Sequence, residues 1–600
     1  MSYDKKPMIN YTSKDFDTIK QDLVEHAKRY YPDSYRDFNE SGFGSMMLDA
    51  VAYVGDMLSF YLDYQVNESF LETAIEFNNV RSMAEQYGYK FQGRPAAFGI
   101  ATFYVIVQAA NTGLGPEAKY IPIIKAGTEV RSSAGANFIL TENVDFSHPN
   151  NEVVAARINS NTGVPTHYAI RAQGAVKSGA YYSNSVDVGS FARFRRVKAG
   201  PSIINEIMSV YDSDGHRYYE VDHLSQEVIY RDVTNPNVAS DNVRSILKPF
   251  VASRRFVVEQ DADGTYIRFG YGSDLDTTGS AGIVDPAKTV LKMVGRDYIT
   301  DTAFDPTRLL DTNKFGVGPS DTTLKIIYSS NNVANVNVAV NGLNAVERLI
   351  LDFPDNSVVS TAVRSAVATS VEVTNDTAIM ENTSYPTNSE MRYRAYATHA
   401  AQNRAVTRND YEAYAYMMPP QFGAVHRACI VNDPGSTNRR MSLYVISEDS
   451  NGKLASTNNM IKKNLKNWMQ KNKMINDAID IYDAKIVNFA FDYTIVVDTD
   501  YDKNSILNTV NQKLISLFTE NHMYVGEPFY ITDVYSAINK VIGVVDTIKV
   551  KTKSRSGGNY SSVSYNMKEM MAKDGTAIIA PKNVILEIKY PSIDIRGMAV

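Results

Sequence analysis

The sequence SGFGSMMLDAVAYVGDMLSFYLDYQV, at Ser41–Val66, has the apolar spacing of one long helix. Apolar residues recur three or four positions apart, which places them on one side of an α-helix. That face carries Phe43, Met47, Ala50, Val54, Met57 and Tyr61. It is widened by Met46, Val51, Leu58 and Leu62. A helix with so broad an apolar surface needs neighbours on more than one side, so we predict that these residues bind a partner.

Amphipathic patterns on both sides of this segment extend the predicted helical region. Thr12–Tyr31 has one apolar stripe, with Thr12 and Asp15 as a capping pair and Pro32 as the stop. A third helix ending at Gly88 is predicted from the apolar residues Phe70, Ala74, Phe77, Val80, Ala84 and Tyr87. We therefore predict a helical bundle domain at residues 1–95.

From about Ala96 the apolar period changes to two, which is typical of strands. Gly99–Gln108 alternates clearly, and short strand-like runs separated by turn residues continue to about residue 380. Further examples are Phe256–Glu259, Tyr266–Phe269 and Thr323–Tyr328. Residues 96–380 are predicted to form a long β-rich middle region of two subdomains.

Helical signals return at Ser389–Asn403 and Thr407–Met418, which predicts a helical connector at residues 381–440. Strands and helices then alternate to the C-terminus, which indicates a mixed α/β domain at 441–600. The predicted strands are Met441–Ile446, Val487–Val497 and Val544–Val550. The predicted helices are Ser456–Lys471, Asn504–Thr519 and Thr532–Asn539. The predicted fold class is therefore multidomain α+β.

Composition excludes several classes of protein. At 600 residues the chain is expected to hold roughly three to five domains. A net charge of −6 argues against a general nucleic-acid or anionic-membrane binder, because either needs a basic face. Cys429 is the only cysteine, which excludes intrachain disulfides and cysteine-held metal clusters. The N-terminus has no apolar secretory segment, and no apolar run reaches about 18 residues.

The motifs that carry chemistry are missing from the sequence. There is no phosphate-binding P-loop, no H-E-x-x-H zinc helix and no G-x-S-x-G nucleophile elbow. Phe269–Gly272 (FGYG) contains G-x-G, but it lacks the third glycine of a dinucleotide site. We therefore predict no catalytic residue, no metal and no cofactor, and expect that the chain is not an enzyme.

Two acidic loops have alternate carboxylates, as calcium loops do. They are Asp212–Gly215 and Asp261–Gly264, and both lack the later ligands of an EF-hand. Asp-Gly between strands favours a hairpin turn over a metal site. His216 and His223 have acidic neighbours, and we interpret them as surface-loop residues.

Tyrosine is unusually frequent, with 39 Tyr beside a single Trp. Tyr suits protein interfaces because it joins a large apolar ring to a polar tip, and it is also a strand former. Both interpretations stay open. If these tyrosines serve interfaces, further partner contacts are expected in the connector and the C-terminal domain. We predict them at Tyr411, Tyr414, Val534 and Tyr535.

A series of motifs extends over most of the chain. The first is RDFNESGFGSMMLDAVAYVGDMLSFYLDYQVNESFLETA at Arg36–Ala74. The others are IIKAGTEV (Ile123–Val130), DADGTYIRFGYG (Asp261–Gly272), KFGVGPSDTTLKIIY (Lys314–Tyr328), NRAVTRNDYEAYA (Asn403–Ala415), ITDVYSAINKVIGVVD (Ile531–Asp546) and IKYPSIDIRG (Ile588–Gly597). In this shared order the motifs resemble the baseplate J-like family, and in particular its large wedge subunits of contractile-tailed phages. Lys125 stands where that family usually has Pro.

This resemblance implies a structural subunit of a virion, located in the tail baseplate and assembled in the host cytoplasm. Such subunits form the inner ring around the hub, with two copies in each of six wedges. The N-terminal helices of two copies would bundle with a helix of another wedge subunit, and the C-terminal domains would pair as homodimers. Sheath-initiator and hub proteins are further implied partners. The resemblance does not imply binding to nucleic acid or to a membrane. The ring would widen on host contact and start sheath contraction.

Two alternatives stay open at this point. The same architecture could serve a non-phage contractile injection system, which sequence alone barely separates from a phage tail. A β-rich receptor-binding or glycan-cleaving tail protein is a different class. It would be expected to form a trimer and, for hydrolysis, to place two carboxylates at glycosidase spacing.

Overall fold

The computed structural model describes residues 9–12, 15–31, 42–91, 94–110, 114–200, 204–235, 243, 245–261, 263–272, 315–333, 335–355, 359–382, 385–402, 404–432, 440–449, 451–520 and 523–600. The helices in these ranges are α1 (Phe16–Tyr30), α2 (Phe43–Asn67), α3 (Phe77–Gln86), α4 (Thr361–Thr369), α5 (Asn388–Ala401), α6 (Arg408–Tyr416), α7 (Asn459–Gln470), α8 (Lys503–Glu520), α9 (Ile531–Asn539), α10 (Met567–Met570) and α11 (Pro591–Asp594). Short 3-10 turns lie at Ala118–Tyr120 and Pro420–Phe422.

The strands up to residue 380 are β1 (Phe98–Gln108), β2 (Ile123–Ile124), β3 (Glu129–Ser132), β4 (Asn137–Leu140), β5 (Val144–Asp145), β6 (Glu152–Ile158), β7 (Pro165–Ser178), β8 (Ala180–Val188), β9 (Arg196–Gly200), β10 (Glu206–Tyr211), β11 (Arg217–Glu220), β12 (Val228–Thr234), β13 (Ser245–Val251), β14 (Arg255–Asp261), β15 (Gly264–Phe269), β16 (Thr322–Ser330), β17 (Leu343–Arg348), β18 (Leu351–Asp352) and β19 (Glu372–Thr374). The later strands are β20 (Arg427–Asn432), β21 (Arg440–Glu448), β22 (Leu454–Ala455), β23 (Ala478–Asp483), β24 (Lys485–Val497), β25 (Phe529–Tyr530), β26 (Val544–Arg555), β27 (Ala577–Ile578), β28 (Val584–Glu587) and β29 (Ile595–Ala599). N-terminal helices, a β-rich middle and a mixed α/β end confirm the predicted multidomain α+β class.

The helix starts near the N-terminus differ from the prediction. Asp15, and not Thr12, is the N-cap of α1, and its carboxylate accepts a hydrogen bond from the Thr18 amide at 3.1 Å. The Thr12 hydroxyl instead donates to Asp63 of α2 at 2.9 Å. The predicted stop Pro32 and the predicted start Ser41 lie outside the described residues.

The third helix begins later than the apolar spacing suggests. Residues 68–76 form turns, because the Glu68 carboxylate accepts the amide of Ile75 at 2.6 Å and so draws the chain back on itself. The Thr73 hydroxyl also donates to the Asn67 carbonyl, at 2.6 Å. These local bonds compete with a helix over the same residues.

The first large sheet contains the strand predicted at Gly99–Gln108. It has the strand order β17-β3-β4-β7-β1-β19, with β6 added on β7. β1 pairs antiparallel with β7 along its whole length, and from Phe103 to Gln108 its buried side chains alternate with more exposed ones, as the period of two requires. α4 lies against this sheet with Val367 in the core, and its N-cap is Ser360. The sequence analysis did not predict this helix inside the β-rich region.

The second large sheet has the order β8-β16-β10-β11-β14-β15-β9. β14 and β15 form a hairpin in which Asp261 is the partner of Gly264. The turn interpretation of that acidic loop is therefore confirmed. β12 and β13 form a separate antiparallel ribbon.

The predicted boundary at residue 440 falls between two paired strands. β20, from the predicted connector, pairs antiparallel with β21, and β23 joins β21 in parallel. α6 and α7 cover this sheet, with buried residues such as Leu465 in a common core.

The last sheet has β24 at its centre, between β26 and β28, and β29 also pairs with β24. The alternate residues predicted for this strand are buried against α8 and α9, and they are Val487, Phe489, Phe491, Tyr493, Ile495 and Val497. β26 runs to Arg555, five residues beyond the predicted Val550.

Candidate interaction surface

The α1–α2 hairpin is held together by the small and polar side of α2. Lys20 of α1 pairs with Asp49 of α2 at 2.8 Å, and the Thr12 amide donates to Asp63 at 3.0 Å. At Gly55 a Cβ would lie 3.3 Å from the Ile19 side chain, so glycine lets the helices approach closely. At the end of α2, the Asn67 side chain donates to the Ile9 carbonyl at 2.8 Å.

Because α1 occupies the polar side of α2, the apolar side faces outward. The exposed fractions are 74% for Phe43, 51% for Met47, 55% for Val54, 40% for Met57 and 60% for Tyr61, and Ala50 is exposed as well. Thus all six residues predicted from the helical spacing lie on the surface of the described chain. We call these six residues, with the flanking residues below, the α2 face.

The flanking residues widen the α2 face around the helix. The predicted members of this group are exposed, and they are Met46, Val51, Leu58 and Leu62. Two more, Tyr53 at 59% and Phe60 at 61% exposure, were missed because they fall outside the stripe with the strongest spacing. A contiguous apolar surface of this kind usually marks a site of protein association. Among the described residues, no helix, α2 included, has both the length and the apolarity that a bilayer span needs.

The other predicted contacts are mostly interior residues, which corrects the expectation that they offer surface to a partner. Tyr411, Tyr414 and Val534 are at most 2% exposed, in the cores beneath α6 and α9. Tyr535 is half-buried, and its hydroxyl accepts the Val550 amide at 3.1 Å. Tyr411, Tyr414 and Val534 therefore pack on the chain's own sheets instead of offering a surface to a partner.

Tyr411 has a structural role that a single substitution can measure. Its hydroxyl donates to Asp477 at 2.5 Å and accepts the Met474 amide at 3.3 Å, and burial together with the Asp477 bond raises its pKa to about 12. We expect Tyr411→Phe to lower the free energy of local unfolding by about 1–3 kcal/mol, because Asp477 loses a buried donor. Native-state hydrogen exchange measures this effect. Tyr530→Phe, at a site 49% exposed, is the control and should change little.

The first acidic loop is also a turn. The Asp212 carboxylate accepts the amides of Asp214 at 3.1 Å and His216 at 2.8 Å, and it thereby closes the β10–β11 hairpin. One possible ligand atom from each of these three side chains lies within 4.8 Å of the others, but both Asp212 oxygens already have partners. Its Oδ1 accepts the two turn amides, and its Oδ2 lies 3.1 Å from Nδ1 of His216. His223 is exposed, as expected for a surface loop.

Cys429 is half-buried beside Glu412. The pKa of its thiol is raised to about 11, mainly by burial and secondly by the negative charge of Glu412. The reactive thiolate is therefore strongly disfavoured at neutral pH.

Comparison with known proteins gives one sequence-family match. Residues 15–86 match the family described as bacteriophage baseplate protein, N-terminal domain. This range contains α1, α2 and α3, and therefore the whole α2 face. No curated protein sequence matches the chain.

Solved structures of low similarity were also found. One is a chain of the cryo-EM structure of the anti-feeding prophage baseplate, 6-fold symmetrised, with 8% identity, a TM-score of 0.24 and coverage of 95% of this chain and 90% of that chain. Another is a chain of the type VI secretion system TssK-TssF-TssG baseplate subcomplex, with 8% identity and a TM-score of 0.25. The alignment covers 72% of this chain and 95% of that chain. At these TM-scores neither alignment carries weight for the fold or function of this chain.

Proposed function

We propose that this protein is a structural subunit of a contractile-tail baseplate and that the α2 face binds other subunits. The observation that carries the proposal is that two features occupy the same part of the chain. The part of the chain that matches a bacteriophage baseplate N-terminal domain also contains the broad exposed apolar face of α2. A large assembly buries such a surface, and an isolated chain leaves it in water at a cost of about 25 cal/mol per Å².

The chemistry of the α2 face supports protein partners. Its exposed members are aromatic, methionine and aliphatic side chains, the types enriched at the centres of interfaces. Interface centres are poor in charged residues, and the charged residues of α2 lie on its opposite side. There Asp49 pairs with α1, and Asp63 binds the segment that precedes α1. Because the apolar residues extend around the helix, the face has room for more than one partner helix.

The finer proposal is the baseplate J-like wedge subunit. In this role the chain would form homodimers in a twelve-copy inner ring, bundle its N-terminal helices with another wedge subunit, and lie next to sheath-initiator and hub proteins of the virion tail. It would pass on the rearrangement that starts contraction, without catalysis, metal or cofactor. The motif order from Arg36 to Gly597 supports this finer assignment.

Native mass spectrometry of the tagged chain, purified from the cells that produce it, tests the proposal. We expect a dimer, or two copies bound to one or more other polypeptides whose masses identify baseplate subunits. A lone trimer would contradict the proposal and favour a receptor-binding tail protein. In that case glycan cleavage by the purified trimer would be the next measurement.

A further inference from the structure

A buried group of charged residues lies where α5 meets the β20–β21 sheet. Three carboxylates and three cations belong to it, and we call them the junction cluster: Glu381, Glu390, Arg394, His426, Arg427 and Glu448. Glu381, Arg427 and Glu448 are at most 7% exposed, so this cluster is interior and not a solvated surface network. Its members are spread over 68 positions, from 381 to 448, so no local sequence pattern reveals it.

His426 lies at the centre of the cluster, with a carboxylate on each side of its ring. Its Nε2 is 3.6 Å from Glu381 Oε1, and its Nδ1 is 3.7 Å from Glu448 Oε2. The imidazole side chain is 11% exposed. Neither distance is short enough for a hydrogen bond, but carboxylates that face both ring nitrogens favour the positively charged imidazolium over the neutral ring by charge attraction.

The other members of the cluster balance its positive and negative charges. Arg427 pairs with Glu448 at 2.7 Å and with Glu390 at 3.4 Å, and Arg394 is the second cation acting on Glu390. The neighbouring aromatic side chains are Tyr416, which lies under Arg394, and Tyr524, which lies under Arg427. With His426 protonated, three positive charges meet three negative ones. With His426 neutral, the interior either keeps one uncompensated negative charge or must protonate a buried carboxylate such as Glu381, and each state is costly.

α5 is the element that this cluster holds, and α5 also carries the N-terminal helices. Its other side packs on α3 through Met391 and Ala395, and the Arg392 side chain donates to the carbonyls of Leu71, at 2.6 Å, and Ala74. The junction cluster contacts the start of the same helix. α5 therefore connects the unit that bears the α2 face to the β20–β21 sheet.

Packing at this junction is incomplete. A cavity of about 150 Å³ is lined by cluster members such as Glu390, His426 and Glu448, and by the rings of Tyr89 and Tyr385. A void of this size at a charged contact leaves space for α5 to shift or for water to enter.

We propose that the junction cluster is a proton-dependent latch, in which protonated His426 between Glu381 and Glu448 holds α5 to the β20–β21 sheet and loss of its proton loosens the N-terminal helical unit. This inference does not depend on the proposed baseplate role. It follows from the positions of the charges within one chain.

The direction of the pH dependence follows from three pKa shifts. Burial alone would lower the pKa of His426, but Glu381 and Glu448 outweigh burial and raise it above 6.5. The stabilisation from His426 is therefore full below pH 6.5 and is lost as pH rises through its pKa in the folded chain. Burial raises the pKa of Glu381, which adds a loss of stability in the same direction.

At low pH, protonation of Glu390 limits the stability of the junction cluster. Burial would raise its pKa, but Arg394 and Arg427 lower it to about 2. Its stabilisation is present above pH 4.5 and is lost as pH falls toward 2. Between about pH 4.5 and pH 6.5 both Glu390 and His426 contribute in full, and the raised pKa of Glu381 makes the latch firmest toward the lower end of this range.

Hydrogen exchange of the full chain from pH 6 to pH 9, corrected for the intrinsic pH dependence of exchange, tests the latch. The probes are amides of α5 and of β20, including Ala428, whose amide donates to the Tyr416 hydroxyl at 2.9 Å. Their protection should fall by up to about tenfold per pH unit between pH 6.5 and the pKa of His426 in the folded chain, because one proton is released on opening, and it should level off above that pKa. Amides of β24, in a different core, are the internal reference and should keep their protection.

Three variants make the result decisive. His426→Gln should remove the pH dependence, and His223→Gln, at an exposed histidine, should retain it. If His426→Gln does not fold, Glu448→Gln should instead shift the loss of protection to lower pH, because one flanking carboxylate is gone. The proposal is overturned if the wild type shows no slope, or if its slope persists in His426→Gln.

Discussion

Replacing Val54 and Met57 together with aspartate should abolish assembly of this chain with its partners while leaving its own fold intact. Both side chains are substantially exposed in the single chain, at 55% and 40%, so the new carboxylates remain solvated there. In a complex they would be buried without a partner, at a cost of about 3–5 kcal/mol each. Even one such cost weakens binding by more than about a hundredfold.

Native mass spectrometry and analytical ultracentrifugation measure this loss, and circular dichroism checks the fold. A matched control is Val154→Asp with Met474→Asp, because these residues are 56% and 42% exposed but lie far from α2 in sequence, on β6 and after α7. The control should assemble like the wild type. If Val54→Asp with Met57→Asp assembles equally well, the assignment of the α2 face as a partner surface is wrong.

Arg427→Met should be among the most destabilising single substitutions in the described part of the chain. Arg427 is 2% exposed, and its removal leaves Glu448 buried without its 2.7 Å partner and weakens the charge that acts on Glu390. Removing one member of a buried ion pair costs about 3–5 kcal/mol. The loss should appear as reduced hydrogen-exchange protection in α5 and β20.

Arg440→Met provides the comparison for this second prediction. Arg440 also pairs with a carboxylate, Asp480 at 3.0 Å, but its side chain is 58% exposed. Exposed pairs of this kind contribute at most about 1 kcal/mol. Equal effects of the two substitutions would contradict the account of the junction cluster as a buried, charge-balanced contact.

Local sequence patterns located eight of the eleven described helices, but they located only a minority of the strands individually. A period near 3.6 located α2, and a period of two located β1 and β24, because helices and strands impose these spacings on residues that share a face. The prediction was weaker where polar side chains bind the nearby backbone. Glu68 and Thr73 delay the start of α3, and no spacing of apolar residues reports such bonds.

The same patterns could not say what each apolar face contacts. The faces of α2 and α6 have similar helical spacing, yet Val54 is 55% exposed and Tyr411 is fully buried. The difference depends on whether another part of the chain covers the helix. α6 lies on the β20–β21 sheet, whereas in the part of the chain that the structure describes α1 packs on the polar side of α2 and leaves the apolar side exposed.

The sequence by itself determined the order of most of the helices, the longest alternating strands and the broad apolar face of α2, since these depend on residues close together in the chain. Only the tertiary structure decided which faces are interior and which are exposed. It also decided that Glu381, His426 and Glu448 meet in one cluster. The physical reason is that burial and the pairing of charges arise from contacts between segments distant in sequence, so local spacing does not encode them.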